Sequence, residues 1–207
     1  MRTPLLLALA TLSLAAQDRF HIGLDLASQA GRSQSFLGGT LESKQRTQFG
    51  LEAGWKAFAR DRMDLRITAG LRFKADADVE SSYLGMTRHI GSLEHQSLAV
   101  GAEVTWYLPF ELGGGLQLRQ ERMNMVFPET GGPNLTATST RPWLTAHAGW
   151  SGKAQGLRPF LRGRMALPLT HTNVTEPSDP DGDVSDTEVV KSLAPRFELS
   201  FQVGLRF

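Results

Sequence analysis

Apolar and polar residues alternate along eight segments of the chain. A period of two residues is typical of a β-strand whose two faces meet different surroundings. None of the apolar positions in these segments is charged, whereas the intervening positions carry many Arg, Lys and Glu residues. We therefore predict strands at residues 20–26, 49–57, 65–73, 98–108, 112–118, 144–150, 159–169 and 197–207.

The connections between these strands alternate in length. Long polar connections are expected at residues 27–47, 75–96, 122–142 and 170–195, and short ones at residues 58–64, around Pro109, and at residues 151–158. Long and short connections alternate in an up-and-down barrel whose two rims face different compartments. The predicted fold is an all-β, eight-stranded antiparallel up-and-down transmembrane β-barrel.

Composition narrows the possible classes of function. The chain has 207 residues, a formal net charge of +1 and no cysteine. A nucleic-acid binder needs a basic surplus, and disulfide scaffolds and thiolate metal sites need cysteine, so these classes are excluded. Beyond the N-terminus no apolar run reaches the ~18 residues of a membrane helix.

The N-terminus has the features of a secretory signal peptide. Arg2 is followed by an uncharged, leucine-rich stretch, and Ser13 and Ala15 are small residues with the spacing of a cleavage site. We predict a signal peptide at residues 1–16, followed by a single barrel at residues 17–207.

A soluble, lipocalin-like barrel shows the same alternation with its apolar face turned inwards. The large aromatic residues favour the membrane alternative, because most of them lie beside the short connections, as in an interfacial girdle. Phe58, Tyr107 and Phe160 lie near the same rim. The predicted girdle consists of Phe20, Trp55, Trp106, Phe110, Trp150 and Phe207.

The opposite face carries ten basic and six acidic residues, interspersed with glycines that leave room for long side chains. Eight strands enclose a lumen that side chains just fill, and buried charges need partners. We predict a lumen of Arg–carboxylate pairs that stiffens the barrel, with His21 and His147 joining it; the alternative is a narrow, weakly anion-preferring channel. The predicted network comprises Asp25, Glu52, Lys56, Arg66, Arg72, Glu103, Arg119, Arg162, Arg164, Glu198 and Arg206, and the same face includes Lys74, Glu111, Glu121, Arg158 and Arg196.

The last strand, RFELSFQVGLRF, alternates and ends on an aromatic residue. It resembles the signal that the barrel-assembly machinery of bacterial outer membranes reads, with Phe201, Val203, Leu205 and Phe207 in the matching positions. With the export signal and the eight strands, the chain resembles the small OmpA/OmpX-type outer-membrane barrels. This resemblance implies a Gram-negative outer-membrane protein without a cofactor, in contact with lipopolysaccharide, with a structural or surface-interaction role.

Two further stretches suggest chemistry. Asp179, Asp181 and Asp183 place carboxylates at alternate positions in a turn, which suits a weak divalent-cation site or a solvated acidic loop. Residues 170–173 resemble the His-x-Ser-Asn pattern of lipid A deacylases, but no Ser follows His171 at the required spacing. We therefore expect no catalytic residues and no enzyme.

The predicted connections contain two other groups of interest. His89 and His95 are expected to be exposed loop histidines, because their spacing fits no helical metal site. Met123, Met125, Val126 and Phe127 form an apolar patch that either continues the fifth strand or contacts a partner.

Overall fold

A computed structural model describes residues 19–36, 38–128, 133–152, 156–172 and 186–207. The predicted signal peptide lies outside these residues. The described part forms β1 (Phe20–Gln29), β2 (Arg32–Phe36), β3 (Gly39–Ser43), β4 (Arg46–Arg60), β5 (Met63–Tyr83), β6 (Met86–Tyr107), β7 (Glu111–Val126), β8 (Leu135–Ser151), β9 (Arg158–Pro168), α1 (Asp186–Ser192) and β10 (Glu198–Arg206).

Eight of the strands close into an antiparallel ring in the order β1-β4-β5-β6-β7-β8-β9-β10. The first and last strands form the closing pair, with Leu24 opposite Val203. Phe20 and Phe207 exchange two backbone hydrogen bonds of 2.9 Å at the end of this pair. The predicted eight-stranded up-and-down barrel is confirmed.

The apolar face of the ring points outwards. Leu24 is 61% exposed and Phe201 50%, whereas Arg66 and Arg162 are fully buried inside. Such a surface is unfavourable in water, because burial of apolar area stabilises a soluble fold by about 25 cal/mol per Å². The barrel therefore has the outside of a protein that is solvated by lipid tails.

The long connections at residues 75–96 and 122–142 were predicted wrongly, because strands occupy much of both. β5 and β6 continue as one hairpin to a tight turn at Leu84 and Gly85, with φ values of 49° and 77°. β7 extends to Val126, and β8 begins at Leu135. The barrel wall thus rises well above its apolar belt. We call this end the hairpin end and the opposite end, with the short connections, the turn end.

A second hairpin lies in the first long connection, where the sequence predicts a loop. β2 pairs with β3, and β3 pairs with the upper part of β5, with Thr40 opposite Ser82. Beyond β3, Lys44 forms ion pairs with Glu80 at 2.9 Å and Glu42 at 3.2 Å. The hydrogen bonds to Glu80 and Glu42 raise the pKa of Lys44 above its ordinary value.

A bulge in β5 reverses which residues point inwards. The pairing with β6 shifts between Arg72 and Ala75, and Gln48 of β4 donates a 2.6 Å hydrogen bond to the carbonyl of Phe73 inside the bulge. One extra residue in a strand exchanges its two faces. Even-numbered residues such as Arg72 point inwards below the bulge, whereas Val79 points inwards above it.

The hairpin end of the lumen is filled by apolar side chains. The short helix α1 and the residues after it place Val190, Leu193 and Ala194 inside the ring, all fully or almost fully buried. We call this cluster the apolar cap; it comprises Val79, Leu93, Met123, Met125, Ala137, Val190, Leu193 and Ala194. The apolar patch predicted around Met123 therefore continues its strand, and its two methionines face the lumen.

Candidate functional site: the lumen

Below the apolar cap, the lumen is lined by acidic and basic side chains, and we call this region the ionic lumen. Of the eleven residues predicted for this network, ten are buried and Lys56 is half-buried next to a register shift in β4. Alternation along eight strands brings these side chains to one face, and closure of the ring then excludes water from them.

The ion pairs nearest the turn end are built on Glu111 and Asp64. Glu111 accepts hydrogen bonds from Arg206 and Arg162, at 2.7 Å and 3.2 Å from its Oε2. Asp64 accepts from the Arg66 guanidinium at 2.9 Å and from the Tyr107 hydroxyl at 2.7 Å. The Glu111 contacts join β7 to β9 and β10 near the turn end of the lumen.

The middle of the barrel is crossed by a chain of alternating charges. Arg164 donates to Glu52 at 2.5 Å and 2.9 Å, and to Glu103 at 2.6 Å. Arg162 approaches the other oxygen of Glu103 at 3.4 Å. Gln202 donates to Glu52 at 3.0 Å. Because Arg164 holds two carboxylates, its removal would leave both Glu52 and Glu103 with less charge compensation inside the barrel.

Above this series of charges, Glu198 accepts hydrogen bonds from residues on three strands. Gln29 lies on β1, across the β1–β10 seam, and Arg72 and Arg119 lie on β5 and β7, across the lumen. The Glu198 oxygens lie 3.0 Å from Arg72, 3.0 Å and 3.1 Å from Arg119, and 3.0 Å from the amide of Gln29. Arg72 also pairs with Asp25 at 2.6 Å. Hydrogen bonds to a charged group are worth roughly twice a neutral one, so Glu198 is a principal cross-link of the ionic lumen.

The ionic lumen meets the apolar cap at Arg141. Its guanidinium donates to Glu121 and, at 3.0 Å, to the carbonyl of Pro195 in the segment after α1. His95 contacts the same Glu121 at 3.2 Å. The buried Trp143 ring lies 4.2 Å from the guanidinium carbon of Arg119 and 5.1 Å from that of Arg141. The hydrogen bond to Pro195 therefore joins the ionic lumen to the segment that carries the cap, and cation–π contacts hold Trp143 between Arg119 and Arg141 just below it.

Glycines on the inner face provide the space that the large side chains fill. A Cβ atom at Gly54 would collide with the imidazole ring of His21, and one at Gly113 would lie 2.5 Å from Nε2 of His147. The cavity that borders Arg72, Arg119 and Arg164 has a volume of about 10 Å³, which is the space of about one water molecule. The side chains leave little free volume at this level.

Several residues lie elsewhere than predicted. Lys74 is exposed because the β5 bulge turns it outwards, and Arg158 and Arg196 are exposed because they flank strand ends at the rims. Phe160 is buried on the inner face, with its ring edge-on to His21 at 5.7 Å, and Tyr107 also turns inwards. These two aromatics support arginines inside the lumen instead of joining a girdle.

Sequence reasoning missed Arg141, Trp143 and His95: Arg141 and His95 lie in segments that the sequence predicts as loops, and Trp143 lies between such a segment and the next predicted strand. His89 is exposed as predicted, but His95 is 1% exposed inside the barrel. The alternation of threonine along residues 136–140 was the available signal, because threonine favours strands.

The predicted girdle residues lie on the outer face near the turn end. Trp55, Trp106, Trp150 and Phe110 are 46–55% exposed, and the Phe20 and Phe207 rings stack with centroids 6.3 Å apart. On the last strand, Phe201, Val203 and Leu205 also point outwards.

The other candidate sites lie at the edge of the described residues or outside them. His171 is exposed just beyond β9, while the rest of the deacylase-like stretch, from Asn173 onwards, and Asp179, Asp181 and Asp183 lie outside the described residues. In the described ranges, no three His, Asp or Glu side chains group as metal ligands. The single described helix is too short to span a membrane.

Comparison with solved structures shows which known proteins have a similar fold. The outer-membrane protein OprG from Pseudomonas aeruginosa matches with a TM-score of 0.55 and 9% identity, covering 92% of this chain and 94% of OprG. The chain folds as a small outer-membrane β-barrel. Neisserial surface protein A matches with a TM-score of 0.47 and 16% identity over 91% of this barrel and 97% of that chain, and the Escherichia coli outer-membrane protease OmpT with 0.46 and 10% over 92% and 97%. No family model and no curated protein matches the sequence.

Proposed function

We propose that the protein is a closed outer-membrane barrel that supports the envelope and makes surface contacts through its external hairpins. The observation that carries this proposal is the filled lumen. Ion pairs cross it at successive levels from Glu111 to Glu121, and the apolar cap fills its hairpin end. We expect a barrel filled in this way to offer ions no aqueous path, so that its contacts with the surroundings are made outside.

The external part of the wall supplies the surface for such contacts. The hairpin of β5 and β6 ends in Tyr83, Leu84 and Met86, which are 54–80% exposed. Leu84 has a positive φ, which is costly for a bulky residue in a turn. We infer that this apolar side chain, at the tip of the β5–β6 hairpin, is a point of contact for another molecule.

Planar-bilayer recording tests the closed lumen. Folded protein, identified by heat-modifiable gel migration, is expected to give no stable conductance above that of a heat-denatured control. A stable open state would contradict the proposal and would favour the narrow, anion-preferring channel, since arginines are prominent along the lumen. Protein that fractionates with soluble periplasmic proteins would contradict the membrane location.

The assignment of no enzymatic activity is tested at His171. Cells that carry the wild-type protein and cells that carry His171→Ala are expected to give identical lipid A mass spectra. A difference in acylation between them would establish a lipid-modifying enzyme.

The proposal also includes recognition of the last strand by the barrel-assembly machinery. A Phe207→Ala variant is therefore expected to reach the membrane in smaller amounts than the wild-type protein.

A further inference from the structure

The outer surface has one amphipathic site that the closed-barrel proposal does not use. A polar cleft of about 210 Å³ lies between β5, β6 and β7 and is lined by Lys74, Glu94, Gln96, Arg122 and Asn124, with His95 behind them. A neighbouring cleft of about 300 Å³ shares Gln96 and Arg122 and continues down to Leu71 and Leu98. Arg122 therefore stands between a polar pocket and an apolar groove.

The height of this site on the barrel coincides with a lipid headgroup layer. On β6, Gln96 lies ten residues from Trp106, towards the hairpin end. Arg122 on β7 is the cross-strand partner of Gln96. A strand tilted by ~40° rises about 2.5 Å per residue along the barrel axis, so ten residues span the ~25 Å apolar belt of such barrels. Leu71 and Leu98, directly below, are paired across β5 and β6 and are 42% and 51% exposed.

The charges of the polar cleft favour an anion. Glu94 is already satisfied, because Lys74 contacts it at 2.7 Å and Asn124 donates to it at 3.0 Å. Glu94 also interacts electrostatically with Arg122, but in the described part of the chain the two side chains form no direct ion pair. The cleft thus combines two cations with one carboxylate and presents donors from Gln96 and Arg122, which is the chemistry that phosphate groups require.

We propose that this site binds a phosphorylated lipid of the outward-facing leaflet, with its phosphate on Arg122 and Lys74 and an acyl chain along Leu71 and Leu98. The proposal rests on the membrane location of the barrel but not on its closed lumen. Arg122 and Gln96 line both clefts and so fix the phosphate at the junction of the polar and apolar parts. A single lipid that covered both clefts would contact four adjacent strands, from β5 to β8.

Native mass spectrometry of the folded barrel in neutral detergent tests the proposal, with bis-phosphorylated lipid A as the probe. Since a basic residue at a membrane surface contributes about 1 kcal/mol to anionic-lipid binding, Arg122→Gln is expected to weaken binding about fivefold. The double variant Lys74→Gln/Arg122→Gln is expected to weaken it about 20-fold or more. Arg88→Gln, on the same strand as Gln96 but nearer the exposed hairpin tip, is the matched control and is expected to change binding less than twofold.

Four outcomes would overturn the proposal. Equal effects of the Arg122 and Arg88 variants would show general electrostatic attraction. Equal binding of lipid A without its phosphates would show an apolar groove only, and full competition by millimolar inorganic phosphate would show a free-anion site. A wild-type protein that inserts into vesicles but fails to bind the probe would contradict this inference alone, whereas failure to insert would contradict the membrane location as well.

Discussion

The ionic lumen and the apolar cap fill the same barrel by opposite means. In the ionic lumen, Glu198 and Arg164 each contact partners on two or more strands, so each side chain has a fixed set of neighbours. In the cap, Leu193 and Met125 are held by shape and burial alone. Apolar packing tolerates exchange among residues of similar volume, but a buried charge tolerates no loss of its partner. The two regions are therefore expected to lose different amounts of stability when one of their residues is substituted.

The largest effect is expected from Glu198→Gln, because among the described residues this change removes the carboxylate paired with Arg119 and leaves Arg72 paired with Asp25 alone. Removing one partner of a buried ion pair costs about 3–5 kcal/mol, and the free energy of unfolding, measured by urea titration in vesicles, is expected to fall by this amount. Glu42→Gln is the matched control, because Glu42 is about half-exposed beside Lys44 and such a pair is worth about 0–1 kcal/mol. Similar losses in the two variants would mean that the ionic lumen is no more sensitive than the surface.

An intermediate effect of a different kind is expected from Leu193→Ala. Truncation of a buried leucine costs about 2–5 kcal/mol, but this side chain lies outside the strand ladder that closes the ring. We expect the loss to appear as local opening, with faster amide exchange at residues 186–195 and unchanged exchange in the strands. Leu84→Ala, at the exposed hairpin turn, is the control without effect. Global unfolding without local opening would remove the distinction between cap and lumen.

The smallest effect is expected where the two regions meet. Trp143→Phe keeps an aromatic ring between Arg119 and Arg141 but weakens both cation–π contacts, at a cost of about 1 kcal/mol. Urea titration followed by circular dichroism measures this loss, with the lipid-facing Trp106→Phe as its control. A loss as large as that of Glu198→Gln would mean that Trp143 belongs functionally to the ionic lumen.

The alternation of side chains was sufficient to predict the strands of the belt but not their full length. Above the belt β5 still alternates, with Ala75, Ala77 and Val79 on one face and Asp76 and Asp78 on the other. There the outer face is in water and the inner face contacts the cap, so the polarity of the two faces is reversed. Because the strands were predicted from an apolar outer face, this reversed pattern was interpreted as a loop.

The interior charges were predictable as a set, but their pairing was not. The alternation of side chains along each strand shows that Glu52 and Arg164 both face inwards. Their contact depends on the stagger of β4 against β9, which are not neighbours in the ring. Stagger arises from closure of the whole sheet, and no local pattern encodes it. The bulge at Arg72 and Ala75 is hidden for the same reason, so Lys74 was assigned to the wrong face.

The seam between β1 and β10 has a consequence for biogenesis. Its hydrogen bonds join the first and the last strand of the ring, so a chain in which β10 has not yet paired exposes two unsatisfied strand edges, each able to pair with another chain. Aggregation is therefore a hazard of the open ring, and the pairing of β10 with β1 removes both edges at once.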